Sequence, residues 1–284
     1  MNFILNTRGF RGVNNNCFIN CLMMSLFGYK YSDFIRLFKM DKNKELIVFI
    51  FNLVNELERD TLPDATNLRN IFPNNLRHGQ QDTSEVYDFL MNLLDFQPIK
   101  IKYKKIYKTE NNEKKKVLEK ASYVSYINIE NDGIDDFNII NKVFKPSWND
   151  LGSDKSNWVN DSNNVPYYRY IKTKINKLES NCLVFSINRG NYNTKKYSNR
   201  IECPRFVKLA NVSYFRFAMI LHINSNNSSE YGHYNVVLSD TSGNDYVYDD
   251  SNTSRKILQN KVDLETINSA HEKNCTMVFY YKIV

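Results

Sequence analysis

The spacing of apolar residues changes once along this chain, and that change constrains the fold more than any other feature. In the first third, up to residue 97, apolar residues recur at helical spacing, as at 18–27, 34–38 and 45–57. From residue 178 onward, short runs of β-branched and aromatic residues are separated by Asn, Ser and Gly, which predicts strands. We therefore expect an α+β protein in which a helical lobe precedes an antiparallel sheet lobe, with a cleft between them.

The middle of the chain, residues 98–177, has weaker patterns. Apolar and polar residues alternate at 99–103 and in parts of 123–129, which indicates strands. Residues 131–164 are rich in Asp, Asn, Gly and Ser, and we expect them to form loops. The strands of the last third are expected at 182–187, 216–223, 234–238, 246–248 and 276–283.

Several classes of protein are excluded by composition. No apolar stretch approaches the roughly 20 residues that span a bilayer, and the first residues lack the basic start and long apolar run of a secretory signal. The five cysteines are an odd number without a C-x-x-C pair, which disfavours a disulfide framework and a zinc ribbon. We therefore expect an intracellular protein with reduced thiols.

The net charge of +7, from 38 Lys and Arg against 31 Asp and Glu, raises the question of a nucleic-acid partner. The positive charge is densest at residues 100–120, where lysines alternate with Tyr103 and Tyr107. Such a run is more often a solvated or partly disordered segment. A basic patch that binds RNA or DNA is the alternative, although no recognition module is visible around it.

Cys17 stands where a reactive thiol is expected. It follows a turn-rich segment, residues 12–16, and begins an apolar helix that should end at Gly28. Unpaired N–H groups at a helix N-terminus stabilise a thiolate, which is the nucleophilic form of cysteine. A free cysteine is otherwise most often a small core residue. That interpretation suits Cys21, Cys182 and Cys275, which lie in or next to apolar runs, and it stays open for Cys203.

A cysteine nucleophile needs a base, and the base needs a group that orients it. His233 stands between a polar loop and an apolar strand, and a second strand ends in Asp249 and Asp250. If the two strands pair as a hairpin around residues 242–245, His233 and Asp249 meet at the same end. Each residue alone is more often a surface histidine or a polar strand end, but together with Cys17 they predict a catalytic set.

Four motifs, in order along the chain, resemble those of the ubiquitin-specific proteases. Residues 9–20, G-F-R-G-V-N-N-N-C-F-I-N, are similar to that family's cysteine box, G-L-x-N-x-G-N-T-C-Y-M-N. Residues 80–87, Q-Q-D-T-S-E-V-Y, resemble Q-Q-D-x-x-E-F-L. The others are a strand ending in Arg189 with a later Cys203-Pro204 turn, and a histidine box in which G-H-Y at 232–234 precedes Y-D-D at 248–250. Any one match is weak, but the ordered set is specific.

The resemblance implies a single catalytic domain over residues 1–284 with a papain-like thiol-protease fold. Its parts would be a helical thumb at 1–97, reduced fingers at 98–177 and a palm sheet at 178–284. It also implies cleavage of the isopeptide bond after the C-terminal Gly-Gly of ubiquitin. The implied catalytic roles are Cys17 as nucleophile, His233 as base and then acid, Asp249 as orienting carboxylate and Asp250 as its helper.

The resemblance further implies a binding site for the basic tail of ubiquitin, formed by Asp82 and Glu85 with Gln81 and Tyr234. Physical reasoning supports the acidic pair, because a cleft that holds an Arg-containing tail needs carboxylates at a fixed helix start.

Two features depart from the family pattern. Gly12 replaces the Asn that stands five residues before the cysteine and donates to the oxyanion, a contact worth on the order of 3 kcal/mol. We expect Asn15 or Asn16, together with backbone N–H groups, to take its place, or turnover to be slower. The C-x-x-C pairs that bind zinc in the fingers of many members are also missing, so we expect no metal and no cofactor.

Two other functions stay open: a catalytically weak ubiquitin-binding module, which the loss of Asn at Gly12 permits, and a protease for another ubiquitin-like modifier. The leading expectation is a monomer that acts on ubiquitin or ubiquitinated proteins in the cytoplasm or nucleus, without membrane or nucleic acid. The Asn-rich composition is typical of an AT-rich genome, such as that of a large DNA virus or a parasite acting in a host cell.

Overall fold

The computed structural model describes residues 4–6, 8–12, 15–30, 43–79, 81–95, 101–108, 115–128, 137–138, 148–150, 159–160, 166–167, 169–173, 181–189, 199–209, 211–223, 232–251, 258–259 and 271–283. The helix predicted at 34–38 lies outside these residues.

Helices fill the described part of the first third. They are α1 (Cys17–Phe27), α2 (Lys44–Glu58), a 3-10 helix (Thr66–Ile71), α3 (Asn74–Arg77) and α4 (Thr83–Leu94). The helices predicted at 18–27 and 45–57 are confirmed as α1 and α2. Gly28 ends α1 as predicted, and its N–H donates to the Met24 carbonyl at 2.8 Å. None of the described helices is long and apolar enough to cross a membrane.

Helix α4 begins at Thr83 because the side chain of Asp82 caps it. The Oδ1 atom of Asp82 accepts the backbone N–H groups of Ser84 at 2.7 Å and Glu85 at 3.4 Å. These N–H groups have no partner within the helix, so the cap satisfies donors that would otherwise be free.

Strands make up most of the described remainder. They are β1 (Ile101–Lys108), β2 (Lys115–Ser122), β3 (Ser125–Asn128), β4 (Phe137–Asn138), β5 (Trp148–Asp150), β6 (Val159–Asn160), β7 (Pro166–Tyr167), β8 (Arg169–Thr173), β9 (Cys182–Asn188), β10 (Ile201–Glu202), β11 (Phe206–Leu209), β12 (Val212–Ile223), β13 (His233–Ser239), β14 (Asp245–Tyr248), β15 (Leu258–Gln259) and β16 (Cys275–Ile283). The five strands predicted in the last third are confirmed as β9, β12, β13, β14 and β16.

The largest sheet has the strand order β15-β14-β13-β12-β16-β9-β3, with β11 also paired to β12. A second sheet has the order β2-β1-β8-β5 and is antiparallel throughout. In the largest sheet β3 pairs with β9 in parallel, and elsewhere β4 pairs with β10 in parallel. The α+β class is confirmed, with these two parallel pairs as exceptions to an antiparallel arrangement.

The expectation that residues 131–164 form only loops is wrong at three places, where β4, β5 and β6 occur. The longest of them, β5, pairs with β8 at the end of the second sheet. Strand pairing uses the backbone C=O groups, which all residues carry, and the backbone N–H groups, which only proline lacks. A polar composition therefore lowers strand propensity but does not prevent a segment from pairing with an existing sheet edge.

Helix α1 lies at the centre of the hydrophobic core. It packs against β12 and β13 on one side and against α4 on another, and all of its residues are buried. This explains why its sequence is apolar on all faces. Aromatic rings continue the core under the sheet, where Phe279 packs edge-on against Tyr87 and is tilted against Phe217, with ring centres 5.7 and 5.9 Å away. The core therefore fixes the end of α1 that carries Cys17.

Candidate active site

Cys17 is the first residue of α1 and is 7% exposed. The turn before it places Asn15 in the left-handed backbone region, with φ of 56°, which Asn tolerates better than most residues. The first N–H groups of a helix have no partner within it and carry the positive end of the helix dipole. The sulfur of Cys17 therefore lies at the positive end of a helix that the core holds in place.

His233 begins β13, and Asp249 directly follows β14. The two strands form the predicted hairpin, in which Val236 is opposite Tyr248 and Ser239 is opposite Asp245. At the open end of this hairpin, Nε2 of His233 lies 2.7 Å from Oδ1 of Asp249. The structure thus brings together the histidine and the carboxylate that the sequence paired.

Asp249 is held independently of the histidine. Its Oδ1 atom also accepts hydrogen bonds from the backbone N–H of Ser251 at 2.9 Å and from the Ser251 hydroxyl at 2.6 Å. Burial opposes ionisation of Asp249, but the bonds from Ser251 and His233 outweigh burial and lower its pKa. Asp249 is therefore a fixed, ionised acceptor for the imidazole.

The side chain of Cys17 lies beside the imidazole of His233, and the interaction between them is the largest cause of the shift in the pKa of the histidine. Burial lowers the pKa of His233, but the interactions with Cys17 and Asp249 outweigh burial and raise the pKa from 6.5 to about 9. Because Nε2 is bonded to Asp249, the other ring nitrogen, Nδ1, is the one left to face the thiol. At neutral pH this imidazole carries a proton on each nitrogen.

Asp250 has a different environment from Asp249. Its Oδ1 atom is 3.6 Å from Nε2 of His233, and its Oδ2 atom accepts a hydrogen bond from Nδ2 of Asn20 at 2.7 Å. Burial raises the pKa of Asp250, and the bond from Asn20 opposes this. Asn20 also donates to the carbonyl of Arg11 at 3.0 Å. Asp250 therefore ties the end of β14 to helix α1.

The role of Asn20, the last residue of the cysteine box, is a structural finding that was not predicted from the sequence. The available signal was an amide side chain in a helix that is apolar except for Asn20 and Ser25, and the structure buries Asn20 fully. A buried amide at such a position requires hydrogen-bond partners, and the nearby carboxylate supplies one.

Asn16 is buried, and both ends of its side chain have partners. Its Nδ2 donates to the hydroxyl of Thr66 at 2.8 Å, and its Oδ1 accepts from Nε of Arg69 at 2.6 Å. The backbone carbonyl of Asn15 accepts from Nη2 of the same arginine at 2.6 Å. A primary amide has two N–H groups, so Asn16 retains one that is not used by Thr66.

Gly12 marks the place where the resemblance breaks down, and the structure gives a steric reason. A Cβ atom added at Gly12 would lie 2.2 Å from the backbone carbonyl oxygen of Asp250 and 3.1 Å from its carbonyl carbon. No side chain fits there without displacing the chain next to Asp249. An asparagine therefore cannot occupy position 12 in this arrangement.

The residues predicted to bind a basic tail lie around the start of α4. Asp82 caps the helix, Glu85 is exposed in its first turn, and Nε2 of Gln81 donates to the carbonyl of His78. Tyr234 is buried, contacts Thr83 and stacks on His222 with ring centres 4.5 Å apart.

Tyr234 also connects this region to the catalytic set. Burial raises the pKa of Tyr234, and the nearby charges of Asp82 and Cys17 raise it further. Tyr234 therefore lies near both the start of α4 and Cys17.

His233, Asp249 and Asp250 form the single group of possible metal ligands within the described part of the chain, with ligand atoms within 4.8 Å of one another. The hydrogen bond between His233 and Asp249 already accounts for this closeness, and Asp250 is engaged by Asn20. The donor set is thus explained as a hydrogen-bonded pair and a structural carboxylate.

Comparison with solved structures shows the same fold in known deubiquitinase modules. A chain of the SAGA Ubp8/Sgf11/Sus1/Sgf73 DUB module bound to ubiquitin aldehyde matches with a TM-score of 0.69 and 15% identity. A chain of this SAGA DUB module bound to monoubiquitin matches with a TM-score of 0.70 and 15% identity. Each match covers 100% of this chain and 71% of the other. A comparison with proteins of curated function found no match.

The sequence itself matches the model of one family, ubiquitin carboxyl-terminal hydrolase, over residues 8–280. This range contains every motif quoted above, from the cysteine box to the histidine box, and each residue of the catalytic set. With the fold and the arrangement of Cys17, His233 and Asp249 established, the conclusion is that the chain belongs to the ubiquitin carboxyl-terminal hydrolase family of cysteine-type ubiquitin hydrolases.

Proposed function

We propose that this protein is a deubiquitinating thiol isopeptidase that cleaves after the C-terminal Gly-Gly of ubiquitin by a Cys-His-Asp mechanism. The observation that carries the proposal is the 2.7 Å contact between Nε2 of His233 and Oδ1 of Asp249, formed beside Cys17, whose side chain is the largest cause of the raised pKa of the imidazole. Nucleophile, base and orienting group in contact are the minimum that cysteine-protease chemistry needs. The two structural neighbours, which hold ubiquitin aldehyde and monoubiquitin, support ubiquitin as the substrate.

In the first half of the reaction, the thiolate of Cys17 attacks the carbonyl carbon of the last glycine of ubiquitin. The carbonyl oxygen becomes an oxyanion next to the free N–H groups at the start of α1. His233 is protonated at neutral pH because its pKa is about 9, so it donates the Nδ1 proton to the departing amine as the isopeptide C–N bond breaks. The product is a thioester between ubiquitin and Cys17.

In the second half, the now neutral His233 takes a proton from a water molecule as the water attacks the thioester carbon. The C–S bond breaks, Cys17 leaves as a thiolate beside the protonated His233, and the carboxyl group of ubiquitin loses its remaining proton to solvent. Asp249 accepts from Nε2 of His233 throughout and keeps Nδ1 directed at the sulfur.

The tail of the substrate is held by charge at the start of α4. Glu85 is exposed there, and burial together with the neighbouring charge of Asp82 raises its pKa. Two carboxylates that repel one another are stabilised by a basic ligand between them, which suits an Arg-containing tail. Gln81 and Tyr234 flank this acidic pair and are proposed to contact the same segment.

The test is hydrolysis of ubiquitin linked through its C-terminus to a lysine side chain, monitored by release of the amine. The wild-type protein should cleave the substrate and Cys17→Ala should not. Cys21→Ala is the matched control, because Cys21 lies one turn later in the same helix and is fully buried. If the wild-type protein binds ubiquitin but releases no amine, the proposal is replaced by a ubiquitin-binding module, which the absence of Asn at position 12 permits.

The same assay separates ubiquitin from its relatives. The acidic pair alone does not distinguish ubiquitin from other ubiquitin-like modifiers, so substrates built on those modifiers are compared with the ubiquitin substrate. If any of these substrates is cleaved faster than the ubiquitin substrate, the proposed modifier is wrong, whereas the proposed mechanism is unaffected.

A further inference from the structure

Arg69, in the 3-10 helix, makes an unusually complete set of hydrogen bonds. Nε donates to the Asn16 side chain, Nη2 donates to the Asn15 carbonyl, and Nη1 donates to the carbonyls of Arg77 and Gly79 at 3.0 Å each. All four acceptors are neutral oxygens, so the guanidinium charge is not paired by them. A planar fork of this kind positions several groups at once, which a lysine cannot do.

Arg69 and Thr66 together fix the orientation of the Asn16 amide. The hydroxyl of Thr66 donates to Oδ1 of Asp64, so its oxygen is left to accept from Nδ2 of Asn16. At the other end Arg69 can only donate, so the atom that it meets must be the amide oxygen. The remaining N–H of Asn16 therefore points in one fixed direction. The two hydrogen bonds prevent the amide from rotating to exchange the places of its nitrogen and its oxygen.

The arginine also joins the turn before Cys17 to the segment that leads into α4. Its guanidinium carbon lies 4.9 Å above the ring centre of Phe18, the residue that follows Cys17, in a cation–π contact. Its bonds to Arg77 and Gly79 reach the chain three to five residues before Asp82. The nucleophile turn and the start of the tail-binding helix are thus linked by one side chain.

The charge of Arg69 also acts on Cys17. Burial lowers the pKa of the guanidinium, and the negative charge of the Cys17 thiolate opposes this. Arg69 therefore lies within electrostatic range of the Cys17 sulfur.

We infer that Arg69 is a positioning residue for the oxyanion site. It holds the Asn15-Asn16 turn so that the free N–H of Asn16 and the N–H groups at the start of α1 act together on the oxyanion, in place of the donor that Gly12 excludes. The inference rests on the proposed function and extends it to a residue without a part in the bond-making steps.

The test compares Arg69→Lys with Arg77→Lys in hydrolysis of the ubiquitin–lysine substrate. Arg77 is the matched control, because it is equally half-buried in the same segment and donates to the carbonyls of Asn70 and Phe72, but it does not contact the turn before Cys17. Arg69→Lys should lower kcat by about 10- to 100-fold with KM within about 3-fold of wild type, as displacement of catalytic groups does. Arg77→Lys should leave both constants close to wild type.

A second variant acts from the other end of the network. Thr66→Val removes the acceptor for Asn16 and should also lower kcat with little change in KM. Combined with Arg69→Lys, its effect should be less than multiplicative, because both changes release the same amide.

The outcomes are distinguishable. If wild type hydrolyses the substrate and Arg69→Lys keeps its kcat, or loses no more than Arg77→Lys, the inference is wrong and the proposed function stands. If Arg69→Lys does not fold, an unchanged kcat in Thr66→Val overturns the inference. Wild-type protein without hydrolysis overturns the proposed function and this inference with it.

Discussion

Asp249 Oδ1 lies 2.7 Å from Nε2 of His233, and the same oxygen accepts two hydrogen bonds from Ser251. Ser251 therefore orients the Asp249 carboxylate independently of its contact with His233. Because Nε2 of His233 is engaged by Asp249, Nδ1 is the ring nitrogen that remains available to the thiol of Cys17. In this arrangement Asp249 orients the imidazole of His233, whereas Asp250 links the end of β14 to helix α1.

The two adjacent carboxylates should respond differently to removal. Asp249→Ala removes the partner of His233 and should lower kcat/KM on the order of 10²-fold or more, with little loss of stability because Asp249 is partly exposed. Asp250→Ala leaves Nδ2 of Asn20 without its charged acceptor and should destabilise the fold by about 1–3 kcal/mol. Urea unfolding and steady-state kinetics on both variants measure the two effects, and equal kinetic losses would contradict the assignment.

The pH dependence of activity should report His233. The imidazole must be protonated to serve as the acid, and it is protonated below its pKa, so a pKa of about 9 extends activity to alkaline pH. The profile of kcat/KM should therefore fall above about pH 9. Asp249→Asn removes a charge that raises the pKa of His233, so its alkaline limb should move to lower pH. An alkaline limb at the same pH in both proteins would show that another group controls it.

Restoring the family's asparagine at position 12 should fail. Any Cβ there meets the Asp250 carbonyl oxygen at 2.2 Å, so Gly12→Asn and Gly12→Ala should both destabilise the protein, by about 1–3 kcal/mol. Both should also lose activity, because the displaced chain carries Asp249. Thermal unfolding and substrate hydrolysis test this, with Gly12→Ala as the control for the steric effect alone. A Gly12→Asn variant more active than wild type would mean that the backbone adapts.

Substitutions of the two carboxylates at the start of α4 should distinguish helix capping from substrate binding. Asp82→Ala removes the helix cap and should cost about 1 kcal/mol of stability, whereas Asp82→Asn retains the cap and loses only the charge. Glu85→Gln should leave stability unchanged, since Glu85 is exposed. Asp82→Asn and Glu85→Gln should each raise KM for ubiquitin substrates by about 3- to 10-fold. Unchanged KM in both variants would place the tail elsewhere.

Much of the site follows from local sequence patterns. A cysteine at the junction of a turn and an apolar helix predicts the start of α1, and a histidine and an aspartate on either side of a short turn predict one hairpin. Each pattern involves neighbours in the chain, so spacing and turn chemistry are sufficient to place it.

The remaining contacts could not be predicted because they join residues far apart in the chain. Asn20 and Asp250 are 230 positions apart, and Asn16 and Arg69 are 53 apart. Their pairing depends on how α1 packs against β13 and on where the 3-10 helix lies, which single-sequence periodicity does not determine. The steric reason for Gly12 is of the same kind, since the atom that excludes a side chain belongs to Asp250.

The most direct test of the account is the site at which ubiquitin becomes attached. Ubiquitin that carries an electrophile at its C-terminus should form one covalent adduct with the wild-type protein, and peptide mapping by mass spectrometry should place the bond on Cys17. The other four cysteines are buried at 1% exposure or less and should stay unmodified. An adduct on any of them, or no adduct despite ubiquitin binding, would contradict the assignment of Cys17 as the nucleophile.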